Sequence, residues 1–134
     1  MAATAQGAAH LSKVVFKVVS TFKNAPKEMA AIARELSQFS GSLHTLADII
    51  DRYETLCKPA AFESIRTIIR GYRELETDLK KIIDTDTPEK LLKLRWCMQK
   101  PKAKNILRRI EGIKAALTLE LVVFQLAKEQ VTRM

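Results

Sequence analysis

The sequence predicts an all-α fold, an elongated bundle of four or five helices, and three observations carry that expectation. From Met29 to Tyr53 the apolar residues recur at alternating steps of three and four, which puts them on one face of a helix. No segment alternates apolar and polar residues in the manner of a half-buried strand. With only 4 Gly and 4 Pro, the chain has little material for long linkers, so residues 1–134 read as a single domain. A domain of this length buries roughly two-thirds of its unfolded surface and needs neither a metal nor disulfides to hold a core.

The first helix lies before Lys23. It is Ala-rich to Ala9 and then apolar at Leu11, Val14, Val15, Val18, Val19 and Phe22. The valines favour strand locally, but Lys17 and the flanking period favour helix. Asn24-Ala25-Pro26 punctuates the start of the second helix, whose seam is Met29, Ile32, Leu36, Phe39, Leu43, Leu46, Ile50 and Tyr53. Lys58-Pro59 ends it near Cys57, so a rod of roughly thirty residues spans about 45 Å. A third helix buries Phe62, Ile65, Ile69, Tyr72, Leu75, Leu79 and Ile82. Asp84 to Pro88 breaks the pattern, with Thr87 as the next N-cap and Pro88 at the first helical position. A fourth helix carries Leu91, Leu94 and Met98, then meets the polar stretch Gln99 to Asn105, where Pro101 either kinks it or separates it from the next. The last seam is Ile106, Ile110, Ile113, Leu117, Leu121 and Phe124.

The net charge of +8 is local. Between Lys90 and Lys114 nine cations face Glu111 alone, whereas the rest of the chain carries 14 basic and 14 acidic residues. At the front, Lys13, Lys17, Lys23 and Lys27 all precede the first acid, Glu28. Both asymmetries point to an anionic partner. Cys57 and Cys97 belong to no CxxC or Cys/His cluster and read as reduced thiols of a cytoplasmic protein. The longest uncharged runs, Met1 to Ser12 and Leu36 to Ala47, are too short for a spanning helix, which needs ~18 residues or more. No cation precedes the first apolar stretch, so it does not read as a signal peptide.

Catalytic chemistry finds no candidate residues. Ile82-Ile83-Asp84-Thr85-Asp86-Thr87 matches the hhDxDxT motif of haloacid-dehalogenase-type phosphatases, but those aspartates must end a parallel strand. Here they end one helix and cap another. His10 and His44 have no Ser, Cys or acid at triad or metal spacing, and no phosphate-binding glycine loop occurs. No enzyme activity, cofactor or metal is expected.

Binding chemistry has two candidate regions. In the basic segment, a helix continuing past Pro101 would align Lys93, Lys100, Lys104 and Arg108 in one stripe and Arg95, Lys102 and Arg109 in another. Such stripes suit a phosphate backbone or anionic lipid head groups; the competing reading is a solvated face. Trp96 is the sole interleaved aromatic, and readers of single strands usually offer several stacking platforms, so nucleic acid is the weaker partner. In the first helix, Leu11, Val15, Val18 and Phe22 oppose Lys13 and Lys17, a pattern that suits an interfacial membrane helix and equally a helix docked on a bundle.

The order of an Ala-rich, apolar first helix, then Asn24-Ala25-Pro26-Lys27-Glu28, then Ala33-Arg34-Glu35-Leu36, resembles the fungal N-terminal domain of STAND proteins. So does the late block of Leu94-Arg95-Trp96, a lysine-rich stretch, and Leu107 to Leu121 with Ile113-Lys114-Ala115-Ala116-Leu117-Thr118-Leu119. These HeLo-like domains stand at the front of fungal NLR-type receptors. The resemblance implies a single helical-bundle effector of programmed cell death and heterokaryon incompatibility that self-associates, joins downstream receptor domains, and is recruited from the cytoplasm to anionic membranes by its first helix. The chain departs from that pattern in Met1 to Ser12, which is mainly alanine with Gln6 and His10. The alternative expectation is a helical interaction module, an adaptor that docks a partner helix without touching lipid.

Overall fold

The computed structural model describes residues 2–21, 27–53, 59–82 and 100–132. They form four helices, α1 (Ala2–Thr21), α2 (Lys27–Tyr53), α3 (Pro59–Ile82) and α4 (Lys100–Thr132), and no strand occurs among the described residues. The fold is all-α, as the periodicity requires. Pro59 opens α3, and Pro101 stands in the first turn of α4, where its missing N–H has no intrahelical acceptor to lose. The expected fourth helix at Leu91, Leu94 and Met98, the Asp84–Thr87 turn, Trp96, Cys57 and Cys97 lie outside the described residues.

α2 is the shared wall of the bundle. α1 and α4 pack on it, and α3 packs on α4. Met29, Ile32, Leu36, Phe39, Leu43, Leu46 and Ile50 are all buried, as their spacing predicts, and Ala33, Ser40 and Ile49 join them. Phe39 stacks on Tyr72 of α3 with ring centroids 4.9 Å apart, which places an aromatic pair at the centre of the core. α3 contributes Ile65, Ile68, Tyr72, Leu75 and Leu79, and α4 contributes Ala103, Ile106, Ile110, Leu117 and Phe124. α3 and α4 run antiparallel: Arg109 meets Asp78 near one end and Phe124 meets Phe62 edge-on at 6.5 Å near the other.

The contact between α1 and α2 differs in kind from the others. Its centre is built from small residues, Ala5, Ala8 and Ser12 on α1 against Ala33 and Ser40 on α2. The Ser12 hydroxyl donates to the Ala33 carbonyl at 2.8 Å, and the Ser40 hydroxyl donates to the Ala5 carbonyl at 2.7 Å. A serine oxygen is one bond beyond Cβ, so it reaches a neighbouring backbone carbonyl only where the two helices approach closely. Each donor–acceptor pair is offset by seven residues on both helices, in opposite directions along the chain. That reciprocity makes α1 and α2 antiparallel and fixes their register.

Two ion pairs tie α4 to its neighbours. Lys114 Nζ lies 2.6 Å from Glu35 Oε2 and donates to Gln38 Oε1 at 2.6 Å, joining α4 to α2. Arg109 Nη1 donates to Asp78 Oδ2 at 2.8 Å, joining α4 to α3. The Arg109 guanidinium holds the Asp78 carboxyl below its ordinary range, with Lys81 and Lys102 adding to the effect.

Two predictions follow from the packing and the pairing. Leu43→Ala should destabilise by ~2–5 kcal/mol, whereas Ser40→Ala, which removes a net hydrogen bond at the α1–α2 contact, should cost only ~0.5–1.5 kcal/mol. Urea denaturation followed by circular dichroism measures both, and equal costs would contradict the packing described. For the ion pair the sign is set by the lowered pKa of Asp78: its stabilisation is fully present above the ordinary Asp value of 3.8 and is lost as pH falls through the lower folded-state value. The melting-temperature difference between the native chain and Asp78→Asn should therefore shrink to nothing under strong acid. A difference that is independent of pH would rule the pair out.

Candidate functional site

The apolar face expected on the first helix is docked. Leu11 and Val15 are buried in the core, and Val14 and Val19 pack partly against it. α1 also buries its Ala-rich start, since Thr4, Ala5 and Ala8 belong to the same face as Leu11, Ser12 and Val15. Lys13 and Lys17 are exposed on the other side, where Phe16 is 44% exposed between them. The Val18 side chain and Phe22 lie outside the described residues. Outer-face cations flanking an exposed aromatic thus share a helix with a core-facing apolar stripe.

The basic segment divides into two groups once it is wound into α4. Lys102 and Arg109, seven residues apart, lie on the flank toward α3, and both act on the carboxylate of Asp78. Lys104 and Arg108, four residues apart, are exposed on the outer flank. Lys100 begins the helix, while Lys93 and Arg95 lie outside the described residues. Lys114, the last cation of the run, serves the α2 contact instead. The outer pair and Lys102 keep their charge at the surface; Arg109 is half-buried and committed to Asp78.

Between α1 and α3 the bundle leaves an open cleft of about 340 Å³, lined by Ala3, Thr4 and Gly7 on one side and by Tyr72, Arg73, Glu76 and Thr77 on the other. The Tyr72 hydroxyl is buried beside the Glu76 carboxylate without reaching hydrogen-bond geometry. Burial first, and then that carboxylate, push its pKa far above the usual phenol range. Partial burial works against the charge of Glu76, but Lys80 at 2.8 Å, the Tyr72 hydroxyl and Arg73 outweigh it and hold the carboxyl below its ordinary value. Glu76 is thus held ionised next to a phenol held protonated, whose buried hydroxyl has no hydrogen-bond partner.

Among the described residues no three His, Cys, Asp or Glu side chains are grouped to hold a metal ion, and no helix is long and apolar enough to cross a membrane. The arrangement keeps the cations Lys102, Lys104 and Arg108 at the surface of α4 and buries one face of α1. Sequence periodicity located Leu11 and Val15 correctly on the buried face. It missed Ala5, Ala8 and Ser12, because alanine and serine carry little hydropathy signal, and it counted Lys114 in the basic segment without finding its partners, Glu35 and Gln38. Compared with protein-family models, with curated proteins and with solved structures, the chain matches none.

Proposed function

We propose that this chain is a non-enzymatic cell-death or signalling effector module that self-associates and engages anionic membranes through α1. The observation that supports it is the construction of α1: its apolar face is docked through small residues on α2, while Lys13, Phe16 and Lys17 face outward and the side toward α3 is an open cleft. A helix held mainly on one side by close contacts can leave the bundle as a unit, and the face it frees carries the apolar Leu11 and Val15. Lysines opposite that face suit an interfacial helix on anionic lipid, not one that crosses the bilayer. The cations of α4 supply a second attachment, Lys100, Lys102 and Lys104 with Arg108, each worth ~1 kcal/mol near such a surface. The HeLo-like resemblance of the sequence supports the same reading and adds downstream receptor domains as further partners.

Vesicle co-sedimentation and dye leakage with anionic and neutral liposomes test the proposal. Ala8→Leu overpacks the α1–α2 contact, so it should weaken docking and raise binding and leakage. Leu11→Glu with Val15→Glu should abolish leakage even though α1 is undocked. Reversing Lys100, Lys102 and Lys104 to Glu should lower anionic binding at least about tenfold without altering helicity, and added salt should mimic that loss. If all three variants bind and permeabilise vesicles like the native chain, α1 is not the effector, and an adaptor that docks a protein partner replaces this reading.

A further inference from the structure

α4 carries apolar residues on two opposite faces. Ile106, Ile110, Leu117 and Phe124 form the buried one. On the other, Leu119, Val122, Val123 and Leu126 are 66%, 46%, 51% and 55% exposed, the largest group of exposed apolar side chains among the described residues. At about 100° per residue these four, with exposed Gly112, Ala115 and Ala116, fall within about 60° on either side of Leu119, so they make one continuous stripe. No charged residue interrupts it between Gly112 and Leu126. Clustered apolar side chains of this kind mark interaction sites, whereas scattered ones do not.

We infer that the stripe pairs with the same stripe of a second copy of this chain, the two α4 helices running antiparallel about a twofold axis at Leu119. Two features of the stripe select that occupant. The first is its gradation from small to large. About Leu119, the twofold sets Leu126 level with Gly112 of the partner subunit and, on the two flanks, Val123 beside Ala116 of the partner subunit and Val122 beside Ala115 of the partner subunit. On both sides of the central Leu119 pair, large side chains meet small ones. A parallel pair would set leucine on leucine at one end and glycine on glycine at the other, leaving a wedge.

The second feature is charge. The cations Lys102, Lys104, Arg108 and Arg109 crowd the N-terminal part of α4. Parallel pairing would stack the two clusters side by side. Antiparallel pairing sets the two Lys104 residues about 45 Å apart along the axis, far beyond the ~8–10 Å over which surface charges interact at physiological salt. It also brings Arg108, exposed one turn before Gly112 and in line with the stripe, level with Glu129 of the partner subunit on the same side of the contact, and the twofold repeats this pair. Neither Arg108 nor Glu129 has an ion-pair partner among the described residues. The C-terminal carbonyls of each α4 then face cations of the other, as the helix dipole favours.

The stripe from Gly112 to Leu126 is about 21 Å long and one helix wide, less than the ~800 Å² per partner of a standard interface, so the dimer is weak and concentration-dependent. This inference takes up the self-association in the proposed function and is tested without lipid, so that failure of the membrane reading leaves it standing and its own failure leaves the vesicle results standing.

Sedimentation equilibrium of the full chain, from about 10 µM to about 0.5 mM, should show a monomer–dimer equilibrium that Leu119→Glu abolishes without loss of helicity or melting temperature. Arg108→Glu and Glu129→Arg should each weaken association about tenfold, and the two together should restore it, because the swapped pair attracts again. Gly112→Leu reports the orientation. Gly112 is exposed and a Cβ added there meets nothing within 4 Å in its own subunit, so the fold should be kept. In the antiparallel dimer it collides with Leu126 of the partner subunit and breaks the contact. A chain that stays monomeric throughout, a dimer indifferent to Leu119→Glu, a double swap that fails to restore what each single reversal removed, or a dimer that Gly112→Leu tightens would each overturn the inference. So would a chain that is monomeric in water but loses vesicle binding on Leu119→Glu, which would assign the stripe to lipid.

Discussion

At about 100° per residue, the buried positions of α2 run from Ala33 and Ser40 on one edge, through Leu36, Leu43 and Phe39, to Ile49 on the other, an arc of about 200° that no single neighbouring helix can cover. The other three helices are arranged around that requirement. α1 lies along the edge of small residues, Tyr72 of α3 meets Phe39 in the middle, and Lys114 of α4 reaches Glu35 and Gln38 beyond it. Each fully buried leucine or isoleucine is worth ~1.5–3 kcal/mol, so the seam of α2 is the main source of cohesion. α3 and α4 complete it by packing on each other.

Polar contacts then choose among the packings that the seam would allow. Sliding α1 by one turn along α2 would still bury alanine against leucine, but it would separate Ser12 from Ala33 and Ser40 from Ala5 together. Because the hydroxyls would be left buried and unbonded, the penalty for the wrong register exceeds the modest gain from the right one. Arg109 with Asp78, and Lys114 with Glu35, act in the same sense between the later helices. Partly exposed ion pairs add little stability, and their effect is on position. One consequence is that a charge run cannot be treated as one surface: two of its members join neighbouring helices, and Lys102, Lys104 and Arg108 remain exposed.

Where the apolar period is strong, the sequence predicts the fold at the level of single residues. The seven seam positions of α2 from Met29 to Ile50 are all buried, and Ile65, Tyr72, Leu75 and Leu79 of α3 behave likewise. The expectation is weaker where burial depends on size instead of hydropathy. Ala5 and Ala8 are fully buried because they are small enough to let two backbones meet, and Ser12 and Ser40 are buried because a carbonyl of the facing helix accepts their protons. Neither reason is visible in a hydropathy pattern. In α4 the difficulty is reversed. Apolar residues fall on both sides, and a period alone identifies the seam of Ile106, Ile110 and Leu117 without saying that Leu119, Val122, Val123 and Leu126 stay outside. Which of two apolar faces is covered is decided by α2 and α3, through contacts distant in sequence.

The same contrast separates α1 from its neighbours energetically. Among its described side chains Thr4, Ala5, Ala8, Leu11, Ser12 and Val15 are buried, of which Leu11 and Val15 are the large apolar ones, and Val14 and Val19 pack partly against the core. A methyl group contributes on the order of 0.8 kcal/mol on burial, so the alanines add far less than the leucines and isoleucines of α2. Close approach gives α1 good packing and two hydrogen bonds, yet the total is small for a helix of twenty residues. Local opening draws on the elements with the least buried apolar surface. Removing α1 would expose the edge of α2 lined by Ala33 and Ser40 while leaving Phe39 on Tyr72 and Lys114 on Glu35, so the contacts among α2, α3 and α4 do not pass through it. The bundle is thus divided by its own packing into a three-helix body and one helix whose attachment rests on fit more than on hydrophobic area.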